Sequence, residues 1–115
     1  MSFKKNKYIV IKKAITKEFA NFGFNYLRMS AEADFFMLEN NLTHSANPLI
    51  GNFTDKQVPN SYAKYGDRFM ETMLVKLLPT MEQGTGLKLI PCYAYTRLYR
   101  KGNELKRHKD RPSCE

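Results

Sequence analysis

The chain has 115 residues and a formal net charge of +8 at pH 7. That length allows one domain, and 43% hydrophobic residues with 8 Phe and 7 Tyr exclude a chain that is disordered throughout. Two cysteines exclude a disulfide framework. No apolar run approaches the roughly 18 residues of a membrane span, and none forms a signal-peptide core, so we expect a cytoplasmic protein.

The first elements are predicted from strand-forming residues and then from helical spacing. Residues 8–11 are Tyr-Ile-Val-Ile, which predicts a short buried strand. Thr16 is a suitable helix N-cap. The apolar residues after it recur at helical spacing: Phe19, Phe22, Tyr26 and Leu27. Residues 31–38 either continue this helix or begin a second one.

A long loop and a second helix are predicted next. Residues 40–66 contain repeated Asn, Pro and Gly, which indicate turns, and a loop of this length is often functional. Asp67 can cap a helix whose apolar stripe predicts core packing. That stripe consists of Phe69, Met70, Met73, Leu74, Leu77, Leu78 and Met81. We expect Pro79 to kink or shorten the helix and Gly84 and Gly86 to end it.

The last part of the chain is predicted to form the first strands of a sheet. Residues 89–99 read as a strand with Tyr93, Tyr95, Arg97 and Tyr99 on one face, because side chains alternate along a strand. Residues 100–103 form a predicted turn. Residues 105–110 are then expected to form another strand-like segment.

The pair His108 and Asp110 is the sharpest candidate for chemistry. Residues two apart on a strand point to the same face, so an imidazole nitrogen and a carboxylate oxygen can reach one metal ion. With a second, distant His they would form the facial triad that holds non-heme iron(II). On spacing alone, the alternative is an exposed His and Asp on a charged surface.

The residues around this pair resemble a known family. Residues 95–112 contain a strand that ends in Tyr, a Gly turn, and His-x-Asp on the following segment. This order is similar to the barrel entry of iron(II)/2-oxoglutarate-dependent oxygenases of the prolyl 4-hydroxylase-like branch. Residues 58–65 and 77–87 also resemble bacterial and phage members of that branch. The likeness extends over most of the chain from Lys7 onward.

The resemblance implies an α+β fold in one domain spanning residues 1–115. Helices at about 12–86 would support the first strands of a double-stranded β-helix, or jelly roll, at about 88–115, with the barrel incomplete in this chain. His108 and Asp110 would be the first two iron ligands. Tyr99 would lie near the cofactor, or would simply be a packed tyrosine. Tyr93, Tyr95 and Arg97 would be substrate-pocket candidates if their face turns inward.

The activity implied is that of an iron(II)- and 2-oxoglutarate-dependent dioxygenase. 2-Oxoglutarate and dioxygen would be co-substrates, ascorbate an optional reductant, and a peptide side chain the first expectation for the substrate. No histidine follows Asp110, so the family's distal His ligand is missing, and with it the 2-oxoglutarate-binding Arg or Lys that would come after that histidine. We therefore expect this to be the N-terminal part of such an enzyme, inactive on its own.

The alternative function is a small basic module that binds nucleic acid or an acidic protein, without catalysis. Basic residues crowd both ends of the chain. The simpler interpretation of these residues is a solvated strand and helix surface. Nucleic-acid binding that survives the loss of His108 and Asp110 would favour this module, whereas iron(II) binding that depends on them would favour the oxygenase.

Overall fold

The computed structural model describes residues 2–110 and contains three helices and two strands. In chain order these are α1 (Phe3–Asn6), α2 (Lys17–Glu39), β1 (Tyr62–Tyr65), α3 (Arg68–Thr85) and β2 (Tyr95–Leu98). The strands pair antiparallel, with Tyr62 opposite Leu98 and Tyr65 opposite Tyr95. The described part is therefore mixed helix and strand; the jelly roll stays a prediction.

Both long helices begin at the residues expected to cap them. The Thr16 hydroxyl accepts a hydrogen bond from the Phe19 amide at 3.1 Å, and Asp67 accepts one from the Met70 amide at 3.2 Å. α2 is a single continuous helix, so residues 31–38 extend it. α3 continues through Pro79 and ends at Gly86, whose φ of 73° suits glycine.

The strand prediction for residues 8–11 is wrong. These residues are irregular, and Tyr8 and Val10 are exposed. A strand needs a hydrogen-bonding neighbour, and the β1–β2 sheet provides none here. Ile11 packs instead against the last turn of α3, where a Cβ on Gly84 would lie 2.8 Å from Ile11 Cδ1.

The structure also shortens the predicted strand at 89–99 and subdivides the long loop. Only Tyr95–Leu98 is a strand. The stretch 40–66 contains β1, and Asn52 forms an isolated bridge with Ala63 on the free edge of that strand. The α3 stripe is half-buried, except that Met81 is exposed. Phe69, in the first turn of α3, packs against α2, and its ring centroid lies 4.7 Å from that of Tyr26.

The buried centre is small and is organised by polar contacts around Tyr62. Val58, Tyr62 and Ala63 are almost completely buried. The Asp34 carboxylate, on α2, accepts hydrogen bonds from the Tyr62 hydroxyl at 2.5 Å and from the Gly51 amide at 2.8 Å. Burial and then the bond to Asp34 raise the pKa of Tyr62 above its ordinary value. These bonds join α2, the loop and the sheet.

A second buried carboxylate, Asp67, provides a pH-dependent contribution to stability. Burial alone would raise the pKa of Asp67, but the Tyr26 hydroxyl, the Met70 amide and Lys64 outweigh it, so the pKa is lowered. The Tyr26 hydroxyl donates at 2.7 Å, and the Lys64 ammonium lies 3.4 Å away. A lowered pKa means that the charged form stabilises the fold above the unfolded pKa, and that this stabilisation is lost on acidification.

We therefore expect Asp67→Asn to cost about 1 to 3 kcal/mol at pH 7. Asn still caps α3, so the loss reports mainly the charge. The difference between wild type and variant should shrink as the pH falls through the folded pKa of Asp67. Urea unfolding followed by circular dichroism at pH 7 and at pH 3 measures both free energies, and an unchanged difference would contradict the assignment.

Candidate functional site

The segment that carries the candidate metal ligands follows a tight turn. The Asn103 amide donates to the Arg100 carbonyl at 2.9 Å, and Gly102 has a φ of 88°, so the predicted turn is confirmed. Residues 104–110 are irregular, so the strand prediction for 105–110 is wrong. No neighbouring strand among residues 2–110 pairs with them.

The structure nevertheless brings His108 and Asp110 together. His108 Nε2 lies 3.1 Å from Asp110 Oδ1, and His108 Nδ1 lies 2.9 Å from the Lys106 carbonyl oxygen. The side chains are 36% and 69% exposed, so both are open to solvent. The Lys106 carbonyl, and after it Asp110, raise the pKa of His108 above its ordinary value.

This pair fits two neighbouring positions of a metal ion. When Nδ1–H donates to the Lys106 carbonyl, the neutral imidazole presents its Nε2 lone pair on the side of Asp110. Metal-binding histidines are commonly oriented by such a backbone bond. The observed separation of 3.1 Å is that of a hydrogen bond, and it also places both atoms close enough to reach one metal ion.

Within residues 2–110, His108 and Asp110 are the side chains available to bind a metal ion at this position. No group of three His, Cys, Asp or Glu that could hold a metal occurs within residues 2–110. Cys114 and Glu115, the remaining donor types after Asp110, lie outside the described residues. The other histidine, His44, is exposed in the loop, where its Nδ1 accepts from the Ala46 amide at 3.0 Å.

Arg97 is used within the protein rather than presented to a ligand. Its side chain is 5% exposed. One guanidinium nitrogen donates to Ser61 Oγ at 3.0 Å, and the other donates to Asp55, Gln57 and Tyr95 at 2.6 to 3.1 Å. This cluster fastens the loop to β2 across the sheet, so Arg97 acts structurally in the described part of the chain.

Tyr95 belongs to the same cluster and also lines a cavity. Its hydroxyl donates to Asp55 Oδ2 at 3.1 Å. Burial, and then the bond to Asp55, raise the pKa of Tyr95 to about 12. The Gln57 amide, and then Arg97 and Tyr95, lower the pKa of Asp55 despite its burial. The cavity, of about 130 Å³, is also lined by Tyr65 and the Asp55 side chain.

The two remaining tyrosines differ in environment. The Tyr93 ring is half-buried, with its centroid 5.7 Å from that of Tyr65. Tyr99 is 46% exposed, directly before the turn at 100–103. Sequence reasoning missed Asp55, Gln57 and Ser61, which meet Arg97 across 36 to 42 residues. No spacing rule predicts contacts over such separations.

Most of the positive charge within residues 2–110 is unpaired. Among residues 2–110, Lys64 and Arg97 are the basic side chains, apart from His108, that form a salt bridge. The other lysines and arginines of the described part therefore keep their charge free of close carboxylates. Cys92 is reduced and exposed.

Comparison with known proteins does not assign the chain to a family or a fold. No protein-family model matches the chain, and neither a curated protein nor a solved structure is significantly similar to it. None of the helices in residues 2–110 has the length and apolar character that crossing a membrane would require.

Proposed function

We propose that this chain is part of an iron(II)- and 2-oxoglutarate-dependent dioxygenase of the prolyl 4-hydroxylase-like branch, and that His108 and Asp110 are two of its three iron ligands. The observation that carries the proposal is the 3.1 Å separation of His108 Nε2 and Asp110 Oδ1. The likeness of residues 95–112 to the barrel entry of that branch supports it. The jelly-roll fold and a cytoplasmic location belong to the same proposal.

The protein's own groups would prepare the donors. The Lys106 carbonyl holds the His108 ring through Nδ1, which leaves Nε2 for the metal. Asp110 supplies a negative charge that favours a divalent cation. Bound iron with 2-oxoglutarate supplies the activation of dioxygen that converts a substrate C–H to C–OH and 2-oxoglutarate to succinate and carbon dioxide.

Turnover would need more than these two residues. Within residues 2–110, no third His, Cys, Asp or Glu joins this pair in a group that could hold a metal ion. We therefore expect His108 and Asp110 to bind a divalent metal ion, and hydroxylation to require a third ligand as well. A peptide side chain is the substrate class that the family resemblance favours.

Metal binding tests the proposal directly. Anaerobic calorimetric titration with iron(II), repeated with manganese(II), should detect one site in the wild-type chain. Loss of a partner that merely orients a ligand typically lowers metal affinity about 10- to 100-fold. Removing a ligand itself, in His108→Ala or Asp110→Ala, should cost at least about 100-fold.

Two matched variants control this measurement. His44→Ala removes the other histidine of the chain, and Lys109→Ala changes the residue between the two proposed ligands. Both should bind the metal as the wild type does. Equal affinity in all five proteins, or no binding by the wild type, would rule out the assignment of the two ligands.

A further inference from the structure

We propose that residues 99–109 form a binding surface for single-stranded nucleic acid, with the basic side chains contacting phosphates and Tyr99 stacking on a base. This inference goes beyond the oxygenase proposal and does not depend on metal binding. Its basic members are Arg100, Lys101, Lys106, Arg107 and Lys109. We call residues 99–109 the basic segment.

The positive charges of the basic segment lie close together in the sequence and are not neutralised by nearby carboxylates. All five basic side chains are exposed, and within residues 2–110 none of them forms a salt bridge. Glu104 is the acidic residue inside the segment, and the adjacent Asp110 is already paired with His108. Unpaired cations in a row attract a polyanion because binding releases the counterions of its phosphates.

Arginine and an exposed aromatic ring favour nucleic acid over an acidic peptide. Arg100 and Arg107 carry guanidinium groups, which bind phosphate through two parallel hydrogen bonds. The Tyr99 ring is 46% exposed at the start of the segment. Bases of a single strand stack on such rings regardless of sequence, whereas an acidic peptide offers no equivalent flat surface.

The segment can also adapt to a flexible strand. Asn103 joins the turn to the loop by donating to the Pro59 carbonyl at 2.9 Å. Beyond Asn103, the side-chain hydrogen bonds of residues 104–110 join these residues only to one another and involve His108. Because few contacts restrain the backbone there, the side chains can follow the phosphates of a strand that has no fixed shape.

The test is the binding of a fluorescently labelled 12-nucleotide oligothymidine, followed by anisotropy at several salt concentrations. Lys106→Glu/Arg107→Glu should lower the affinity more than about tenfold and reduce the salt slope by about 1.4, since each phosphate contact on a single strand contributes about 0.7. Tyr99→Ala should lower it about tenfold, and Tyr99→Phe should not.

The matched control is Lys4→Glu/Lys5→Glu, which makes the same change in net charge on α1. It should retain at least half of the wild-type affinity. An equal loss in this control would overturn the proposal, because binding would then follow net charge alone. Poly-glutamate that competes as well as the unlabelled oligonucleotide would also overturn it, in favour of an acidic protein partner.

The outcome is separable from the oxygenase proposal. Asp110→Ala, which lies outside the basic segment, should keep nucleic-acid binding even though it loses the metal. Oligonucleotide binding without metal binding would support this inference and contradict the oxygenase proposal. Metal binding without oligonucleotide binding would support the oxygenase proposal and contradict this inference.

Discussion

Gly51→Ala is expected to destabilise the protein by about 3 kcal/mol, the upper part of the range for overpacking a buried site. A Cβ at this position would lie 2.2 to 2.5 Å from atoms of the Tyr62 ring and hydroxyl. Tyr62 is completely buried and its hydroxyl is held by Asp34, so the ring cannot move aside without breaking that bond. Urea unfolding followed by far-ultraviolet circular dichroism measures the loss.

Gly23→Ala is the matched control for this substitution. Gly23 is also buried, but a Cβ there would meet Phe69 and Met73 at the ordinary distances of 3.7 and 3.8 Å. Alanine is the better residue inside a helix, so this variant should be neutral or stabilised by up to about 1 kcal/mol. If both variants were equally stable, the close approach of Gly51 to Tyr62 would be refuted.

Asp34→Ala is expected to cost about 4 kcal/mol, because it leaves two buried donors without an acceptor. The Tyr62 hydroxyl and the Gly51 amide both donate to this carboxylate. Each buried donor left unpaired costs about 1 to 3 kcal/mol. Tyr62→Phe removes one donor and keeps the other bond, so it should cost about 2 kcal/mol. Chemical unfolding at pH 7 gives both values.

A double-mutant cycle shows whether these two effects have one origin. In Asp34→Ala/Tyr62→Phe, the missing hydroxyl no longer needs an acceptor, so the combined loss should be smaller than the sum of the single losses. Glu32→Ala, an exposed change on the same helix, should stay within about 0.5 kcal/mol of the wild type. Strict additivity would show that the Tyr62–Asp34 bond contributes nothing.

The candidate site was predictable to the extent that it is local. His108 and Asp110 are two residues apart in the chain, and their side chains meet even though the expected strand is absent. Arg97 was a candidate for a substrate pocket. Its burial against Asp55 and Ser61 depends on how the loop folds over β2, which no pattern within either segment indicates.

The strand predictions also show that local sequence is informative only where the tertiary structure supplies a partner. The composition of residues 8–11 favours a strand, yet Ile11 packs on the last turn of α3. Residues 95–98 do form a strand, because β1 lies alongside to accept and donate its backbone hydrogen bonds. Strand propensity describes a surface that fits a sheet, and the sheet must be present for it to take effect.

The amino-acid sequence by itself determined the N-caps of α2 and α3 at Thr16 and Asp67, the C-cap of α3 at Gly86 and the turn at 100–103. Each depends on a hydrogen bond between residues three or four apart, which forms where those residue types occur together. Only the tertiary structure decided the pairing of β1 with β2 and the burial of Asp34 against Tyr62 and Gly51. Those contacts join residues 17 or more positions apart, and they form only when the packing of the whole chain compensates the entropy of bringing such distant segments together.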